Sequence, residues 1–257
     1  MSFTVIIPAR YDSSRLPGKP LADINGKPMI QHVYERAMLS EAAEVIVATD
    51  NEKIRVTCEA FGAKVCMTSA SHISGTDRLQ EVVKQLGFYS DDIVVNVQGD
   101  EPLIPPRVIN QVAHNLVAEA EASISTLCEK IESIEDFLNP NVVKVTADHR
   151  GLAIYFSRAP IPWPRDAFNG KDVRGVSVDS LPEGMNFYRH IGIYGYRVKL
   201  LNDFVTWSPS PQEKIECLEQ LRAMWHGAKI HVALADETVP PGVDTEDDLI
   251  AMRKILK

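Results

Sequence analysis

No stretch of this sequence stays apolar for the length a membrane helix needs, so a spanning helix is not expected. The amino end, Met1-Ser2-Phe3-Thr4, lacks a basic segment leading into a long apolar one. No secretory leader is expected, and the expected placement is cytoplasmic. Cysteine is scarce. Cys58, Cys66, Cys128 and Cys217 are widely spaced and none forms C-x-x-C, which argues against a disulfide framework or a thiolate zinc site and for reduced thiols. Excess positive charge is also missing, with 27 Lys and Arg against 35 Asp and Glu and a formal net charge of −8. A duplex-binding protein needs a basic face to neutralise phosphates, so that class is disfavoured. A small anionic ligand is not, because a pocket can be locally basic in an acidic protein. No internal repeat or low-complexity tract points to a solenoid or a disordered chain.

What is present is a series of short buried-type runs alternating with helical patterns. Phe3-Thr4-Val5-Ile6-Ile7, Val45-Ile46-Val47-Ala48 and Asp92 to Val97 read as strands covered on both faces. Between them, Ile30, Val33, Ala37 and Met38 recur at helical spacing. Lys53 to Phe61 reads as a helix closed by Gly62. Thr76 or Asp77 is placed to cap a helix ending near Leu86, and Pro105 opens another. Strand–helix alternation over this half predicts a three-layer α/β/α architecture with a mostly parallel sheet. The second half is less regular. Strands are expected at Ser123–Leu127, Val142–Thr146, Leu152–Ser157, Ile191–Tyr196 and Ile230–Leu234, with one helix over Gln212–Trp225 and a last helix after Asp244-Thr245. The 257 residues suit one domain, 1–257, with an irregular, Pro- and Gly-rich excursion at about 160–186.

The loop from Pro8 to Pro20 carries Arg10, Arg15 and Lys19 just beyond the first strand. In open α/β sheets ligands sit beyond the carboxyl ends of strands, and a triphosphate needs fixed cations and backbone N–H groups. The loop is not a Walker A motif, since G-x-x-x-x-G-K-[ST] is absent. A solvated basic loop is the alternative. Asp100, just past the third long strand, is placed to hold a hard cation or simply to begin a turn before Pro102. Asp244 reads first as the N-cap of the last helix, and Ser74-Gly75-Thr76-Asp77-Arg78 as a helix N-terminus.

Read together, the motifs resemble those of the CMP-Kdo synthetases, the 3-deoxy-manno-octulosonate cytidylyltransferases. The resemblance rests on Ile7-Pro8-Ala9-Arg10 with Ser14-Arg15-Leu16-Pro17-Gly18-Lys19-Pro20-Leu21, on His72 to Arg78, on Asn96-Val97-Gln98-Gly99-Asp100-Glu101-Pro102 and on Asn139 to Lys144. It continues through Phe156-Ser157-Arg158, His190 to Tyr196, Leu218 to Arg222 and Gly242-Val243-Asp244-Thr245. It runs the length of the chain, in order. The visible departure is Arg165–Met185, which looks longer than in some relatives and touches local shape rather than chemistry.

The resemblance implies a fold of the nucleotide-diphospho-sugar transferase type. It also implies transfer of CMP from CTP to 3-deoxy-D-manno-octulosonate (Kdo) for lipopolysaccharide synthesis, with Mg²⁺ as cofactor and a homodimer. It implies nucleotide contacts from Pro8, Ala9, Arg10, Arg15, Lys19, Ser74, Gly75, Arg78 and Gln98, with Asp100 and Asp244 as metal ligands. Arg10, Lys19, Asp100 and Asp244 form the implied catalytic set. For the sugar it implies Gln98, Arg158, His190, Tyr194, Glu219 and Gln220. Alternating side chains place His190, Gly192 and Tyr194 on one strand face, although a single His there is often structural. Glu219 and Gln220, within a charged helix, also read as a solvated face. Another acidic sugar, or a CTP-binding module without catalysis, stands as the alternative function.

Overall fold

Consecutive apolar side chains from Phe3 to Ile7 require cover on both faces of any strand they form. In the computed structural model, which describes residues 2–11, 16–72, 74–168 and 180–256, this run is β1 (Phe3–Ala9). A small hairpin follows, β2 (Asp23–Ile24) and β3 (Lys27–Pro28), then α1 (Met29–Met38), β4 (Glu44–Thr49), α2 (Glu52–Ala60), β5 (Lys64–Met67), α3 (Gly75–Gln85), β6 (Ile93–Asn96) and α4 (Pro106–Ala118). The second half adds β7 (Ile124–Lys130), α5 (Ile134–Leu138), β8 (Lys144–Ala147), β9 (Ala153–Ser157), β10 (Tyr188–Arg197), α6 (Val198–Phe204), α7 (Pro211–Glu216), α8 (Gln220–Trp225), β11 (Ile230–Leu234) and α9 (Glu246–Ile255).

The main sheet runs β11-β7-β10-β6-β1-β4-β5, with β8 and β9 attached beside β10. Along that path only β10 is reversed, pairing antiparallel with β6 and β7. The other neighbours pair in parallel. The alternation of side chains divides the core. Val5, Ile7, Val47 and Val95 meet Ile30 and Val33 of α1, Ile54 of α2 and Val108, Val112 and Leu116 of α4 on one face. Ile6, Ile46 and Val94 meet Leu79, Val82 and Val83 of α3 and Leu200, Leu201 and Phe204 of α6 on the other. This is the expected α/β/α layering with a mostly parallel sheet. The carboxyl ends of β1, β4 and β6 lie along the same edge of the sheet.

Three local expectations are corrected. The helix expected over Gln212–Trp225 is two helices, because Cys217 adopts φ 51° and ψ 49°, the left-handed region. Arg158 fixes the break. Its Nε donates to Glu216 O at 2.6 Å and its Nη2 to Cys217 O at 3.4 Å, taking carbonyls that a continuous helix would use internally. Helix α3 is capped by Ser74, not Thr76 or Asp77. Ser74 Oγ accepts from Asp77 N at 3.2 Å, and the Asp77 carboxylate accepts from Ser74 N at 3.1 Å. Helix α9 is capped by Thr245 in the same way, with Asp248 closing the box, so Asp244 is not its cap.

The flanks of the expected excursion pack. Phe168 and Leu181 join Ile131, Ile134, Phe137 and Phe187 in a small satellite cluster. Residues 169–179 lie outside the described residues.

Candidate active site

The site begins where three strands end. β1 delivers Pro8 and Ala9, followed at once by the half-buried Arg10. The next loop returns through Gly18, whose N–H donates to Tyr11 O at 3.0 Å and whose φ of 68° suits glycine. Lys19 follows in a short 3-10 turn. Arg15 lies outside the described residues. From β6 the chain passes through Gln98 to Gly99, where an added Cβ would stand 2.8 Å from Pro8 O. Only glycine lets this loop lie against the end of β1, and it carries Asp100 over the strand ends. The third segment is tied to it, since Val243 N donates to Asp100 O at 2.8 Å.

This stitching brings Asp100 and Asp244 to one cation. Lys19 Nζ lies 2.5 Å from Asp100 Oδ2 and 3.1 Å from Asp244 Oδ1. Burial disfavours the ammonium, but the two carboxylates outweigh it and hold its pKa above the ordinary lysine value. The Lys19 side chain is 14% exposed, that of Asp100 30% and that of Asp244 48%, so the carboxylates face solvent where a ligand would arrive. Next to them, burial and the nearby Asp100 push the Glu101 carboxyl up to about 8. That buried acid was not singled out from sequence, where it reads as part of a turn.

Arg78 is placed under this edge rather than in it. It is fully buried, with Nη2 2.6 Å from Asp50 Oδ2 and Nη1 bonded to Thr68 Oγ1. It thereby ties the ends of β4 and β5 to the first turn of α3, beside Ser74 and Gly75. Nothing local in the sequence marks Asp50 as the partner of Arg78.

The residues expected to meet the sugar, Gln98 apart, come from β10 and from the ends of β9 and α8. Arg158, besides its bonds to α7, donates from Nη1 to Pro140 O at 3.0 Å. The same Asn139–Lys144 loop is held from beneath by the buried Lys144, whose Nζ donates to Asn139 O at 2.8 Å. Along β10 the rings of His190 and Tyr194 are 5.3 Å apart and those of Tyr194 and Tyr196 5.7 Å apart. His190 Nε2 lies 3.0 Å from Thr126 Oγ1, which also reaches Ile191 O and Ile193 O across a bulge. The hydroxyl proton is drawn to those carbonyls, so His190 Nε2–H is the donor to Oγ1. Burial lowers the His190 pKa to about 3, which keeps the ring neutral. Tyr194, Glu219 and Gln220 line one cavity of about 120 Å³ with Thr76, Ile124, Tyr196 and Phe204. Glu219 is thus not on a solvated helix face. Burial raises its carboxyl pKa, while the Ser74 and Thr76 hydroxyls act against that rise.

Two carboxylates and a lysine meet at the carboxyl edge of an open α/β sheet, where such folds bind ligands, and the family comparison gives the class: the cytidylyltransferase model matches residues 4–230. The chain belongs to the 3-deoxy-manno-octulosonate cytidylyltransferase family. It is 60% identical over 257 residues to the enzyme of that name from Marinobacter nauticus, covering 100% of this chain and 98% of the relative. Identity to the Cellvibrio japonicus enzyme is 62%, covering 100% and 99%. The solved structure of CMP:2-keto-3-deoxy-manno-octonic acid synthetase complexed with CTP matches with a TM-score of 0.88 and 42% identity, covering 100% of this chain and 98% of that one. A cytidylyltransferase from Leptospira borgpetersenii shares the fold with a TM-score of 0.60 and 18% identity.

Proposed function

We propose that this chain, as one cytidylyltransferase unit, transfers CMP from CTP to Kdo, giving CMP-Kdo and pyrophosphate. The observation that carries the reading is the convergence of Asp100 and Asp244 on Lys19 at the strand ends, in a chain that matches its cytidylyltransferase relatives from end to end. The anomeric hydroxyl of the sugar attacks the α-phosphorus, the bond to the β-phosphate oxygen breaks, and pyrophosphate leaves in line. Such transfers depend on positioning and charge neutralisation more than on covalent help. Arg10, Arg15 and Lys19 neutralise the phosphates. Backbone at Pro8 and Ala9, with Ser74, Gly75 and Gln98, borders the nucleotide, and Arg78 supports that border from beneath.

Two carboxylates already gathered around one positive charge fit a divalent cation that completes its shell with phosphate and water oxygens. Asp100 and Asp244 would hold Mg²⁺, which supplies charge neutralisation at the α-phosphate and a more acidic sugar hydroxyl when bound. On the acceptor side, Gln98, Arg158, His190, Tyr194, Glu219 and Gln220 are assigned to the sugar acid. A cytoplasmic setting is supported by the free thiols of Cys58, Cys66, Cys128 and Cys217. Among the described residues no helix is long and apolar enough to cross a membrane. A homodimer belongs to the same proposal. Trp163 and Met185, exposed on the described flanks of the excursion, supply apolar surface that a second copy would cover.

The test is pyrophosphate release with Mg²⁺, offering CTP alone, CTP with Kdo, and CTP with a different nonulosonic acid. Release only with Kdo is expected. Release with the other acid instead reassigns the sugar, and no release with any acceptor leaves a CTP-binding module. With ATP in place of CTP, equal rates would contradict a pyrimidine pocket.

A further inference from the structure

Thr76 joins the nucleotide side of the site to the sugar side. It is the second residue of α3, two positions past the Ser74 cap, and is 4% exposed. Its Oγ1 donates to Glu219 Oε2 at 3.0 Å, across 143 positions of chain. Glu219 sits at the start of α8, where the break at Cys217 has turned it inward. Its other oxygen, Oε1, is buried and accepts no hydrogen bond within the described residues. Both residues line the cavity that also holds Tyr194 and Gln220. One carboxylate oxygen is therefore fixed from α3 while the other is left to a ligand. A carboxylate in a partly apolar cavity has several rotamers, and the Thr76 donor on Oε2, with the Ser74 hydroxyl also acting on the group, selects among them.

We propose that Thr76 is a positioning residue that aims the Glu219 carboxylate at a hydroxyl of the sugar acid, so that sugar affinity is set from the first turn of the nucleotide helix. The inference rests on the assignment of Glu219 to the sugar. The nucleotide end does not need the Thr76 hydroxyl, because Ser74 and Asp77 hold each other through their own cap bonds at 3.2 and 3.1 Å. Removal of the hydroxyl should therefore separate the two substrates kinetically.

The experiment is steady-state kinetics of the full chain with Mg²⁺, CTP and Kdo for Thr76→Val, Thr76→Ser, Glu219→Gln and the double variant Thr76→Val/Glu219→Gln, with a thermal melt of each. Thr76→Val is expected to raise KM for Kdo about tenfold, the scale of a lost hydrogen bond to a charged group, with KM for CTP within about twofold. Thr76→Ser, which keeps the donor, should restore the wild-type KM for Kdo even if Thr76→Val folds poorly. Glu219→Gln should raise KM for Kdo by itself and leave little further effect for Thr76→Val to add. If Glu219→Gln raises KM for Kdo but Thr76→Val does not, or if Thr76→Ser behaves like Thr76→Val, the positioning role is wrong while the sugar assignment stands. If Glu219→Gln leaves KM for Kdo unchanged, the sugar assignment falls and this inference falls with it.

Discussion

The Lys19 ammonium donates to Asp100 Oδ2 at 2.5 Å, linking the loop after β1 to the loop after β6 across 81 positions of chain. With Asp244 Oδ1 at 3.1 Å on the same nitrogen, one cation holds two acids that would otherwise repel. A pair of carboxylates arranged around a movable cationic head can exchange that head for other positive charge, which is what a metal–triphosphate complex brings.

Lys19→Met should therefore lower kcat/KM for CTP by about ten- to a hundredfold, the scale of one charged hydrogen bond at 1.5–3 kcal/mol. It should also unsettle the metal-free protein, because Asp100 and Asp244 then lose the cation they share. Mg²⁺ is expected to raise the melting temperature of the variant more than that of the wild type. Equal Mg²⁺ shifts in the two proteins would contradict the shared-cation picture.

Asp50→Ala tests the buried pair beneath the carboxyl edge of the sheet. Arg78 has no exposed side-chain surface and Asp50 has 16%, so removing the acid leaves a guanidinium buried without its charge partner. Breaking such a pair from one side costs about 3–5 kcal/mol. Urea denaturation should show a loss of that order. A variant within about 1 kcal/mol of wild type would mean that Arg78 can turn out to solvent or ligand.

Much of the fold could be read from the chain because the evidence for it is local. β1, β4 and β6 are unbroken apolar runs, and a buried parallel sheet needs such runs. Lys19, Asp100 and Asp244, which meet in the structure, were singled out through the resemblance, since each stands in a recognisable motif. The Ser74 cap was also within reach, because Ser-x-x-Asp lies in plain view. What could not be read depends on distant partners. The break at Cys217 follows from Arg158 claiming the carbonyls of residues 216 and 217, some sixty positions away. The pairing of Asp50 with Arg78 and the burial of Glu219 likewise appear only once the sheet has brought α3 and α8 together.

His190 gives the protein a pH-dependent stability. Its pKa is lowered to about 3 by burial, against about 6.5 for the unfolded chain. Between those values the unfolded state binds a proton that the folded state refuses, so unfolding free energy rises with pH across the window and falls as pH drops below 6.5. His190→Gln removes this contribution. From pH 7.5 to pH 5 the wild type should lose about 2 kcal/mol relative to the variant, at 1.36 kcal/mol per unit below 6.5. Urea melts at the two pH values give the difference, and parallel losses in both proteins would show that His190 is not excluded from protonation.

Asp244 allows the sharpest separation of structure from chemistry, because its neighbour does the capping. Thr245 Oγ1 accepts from Asp248 N at 3.2 Å and Asp248 Oδ2 accepts from Thr245 N at 2.9 Å, while Asp244 Oδ1 accepts from Lys19. Thr245→Ala should cost about 1 kcal/mol of stability through the lost cap and leave turnover nearly intact. Asp244→Asn should do the reverse. The amide keeps the shape and accepts a hydrogen bond from Lys19, so the fold should melt as before. An amide is a poor ligand for a hard cation, so turnover should fall roughly a hundredfold, with a higher Mg²⁺ requirement. Asp100→Asn should match it. The double variant should be little worse than either single one, since residues that hold one ion act as a unit. Magnesium titrations of turnover, alongside thermal melts of all four variants, decide the matter. Wild-type turnover and Mg²⁺ dependence in Asp244→Asn would remove Asp244 from the metal. Fully multiplicative losses in the double variant would mean that the two acids act at separate points of the reaction.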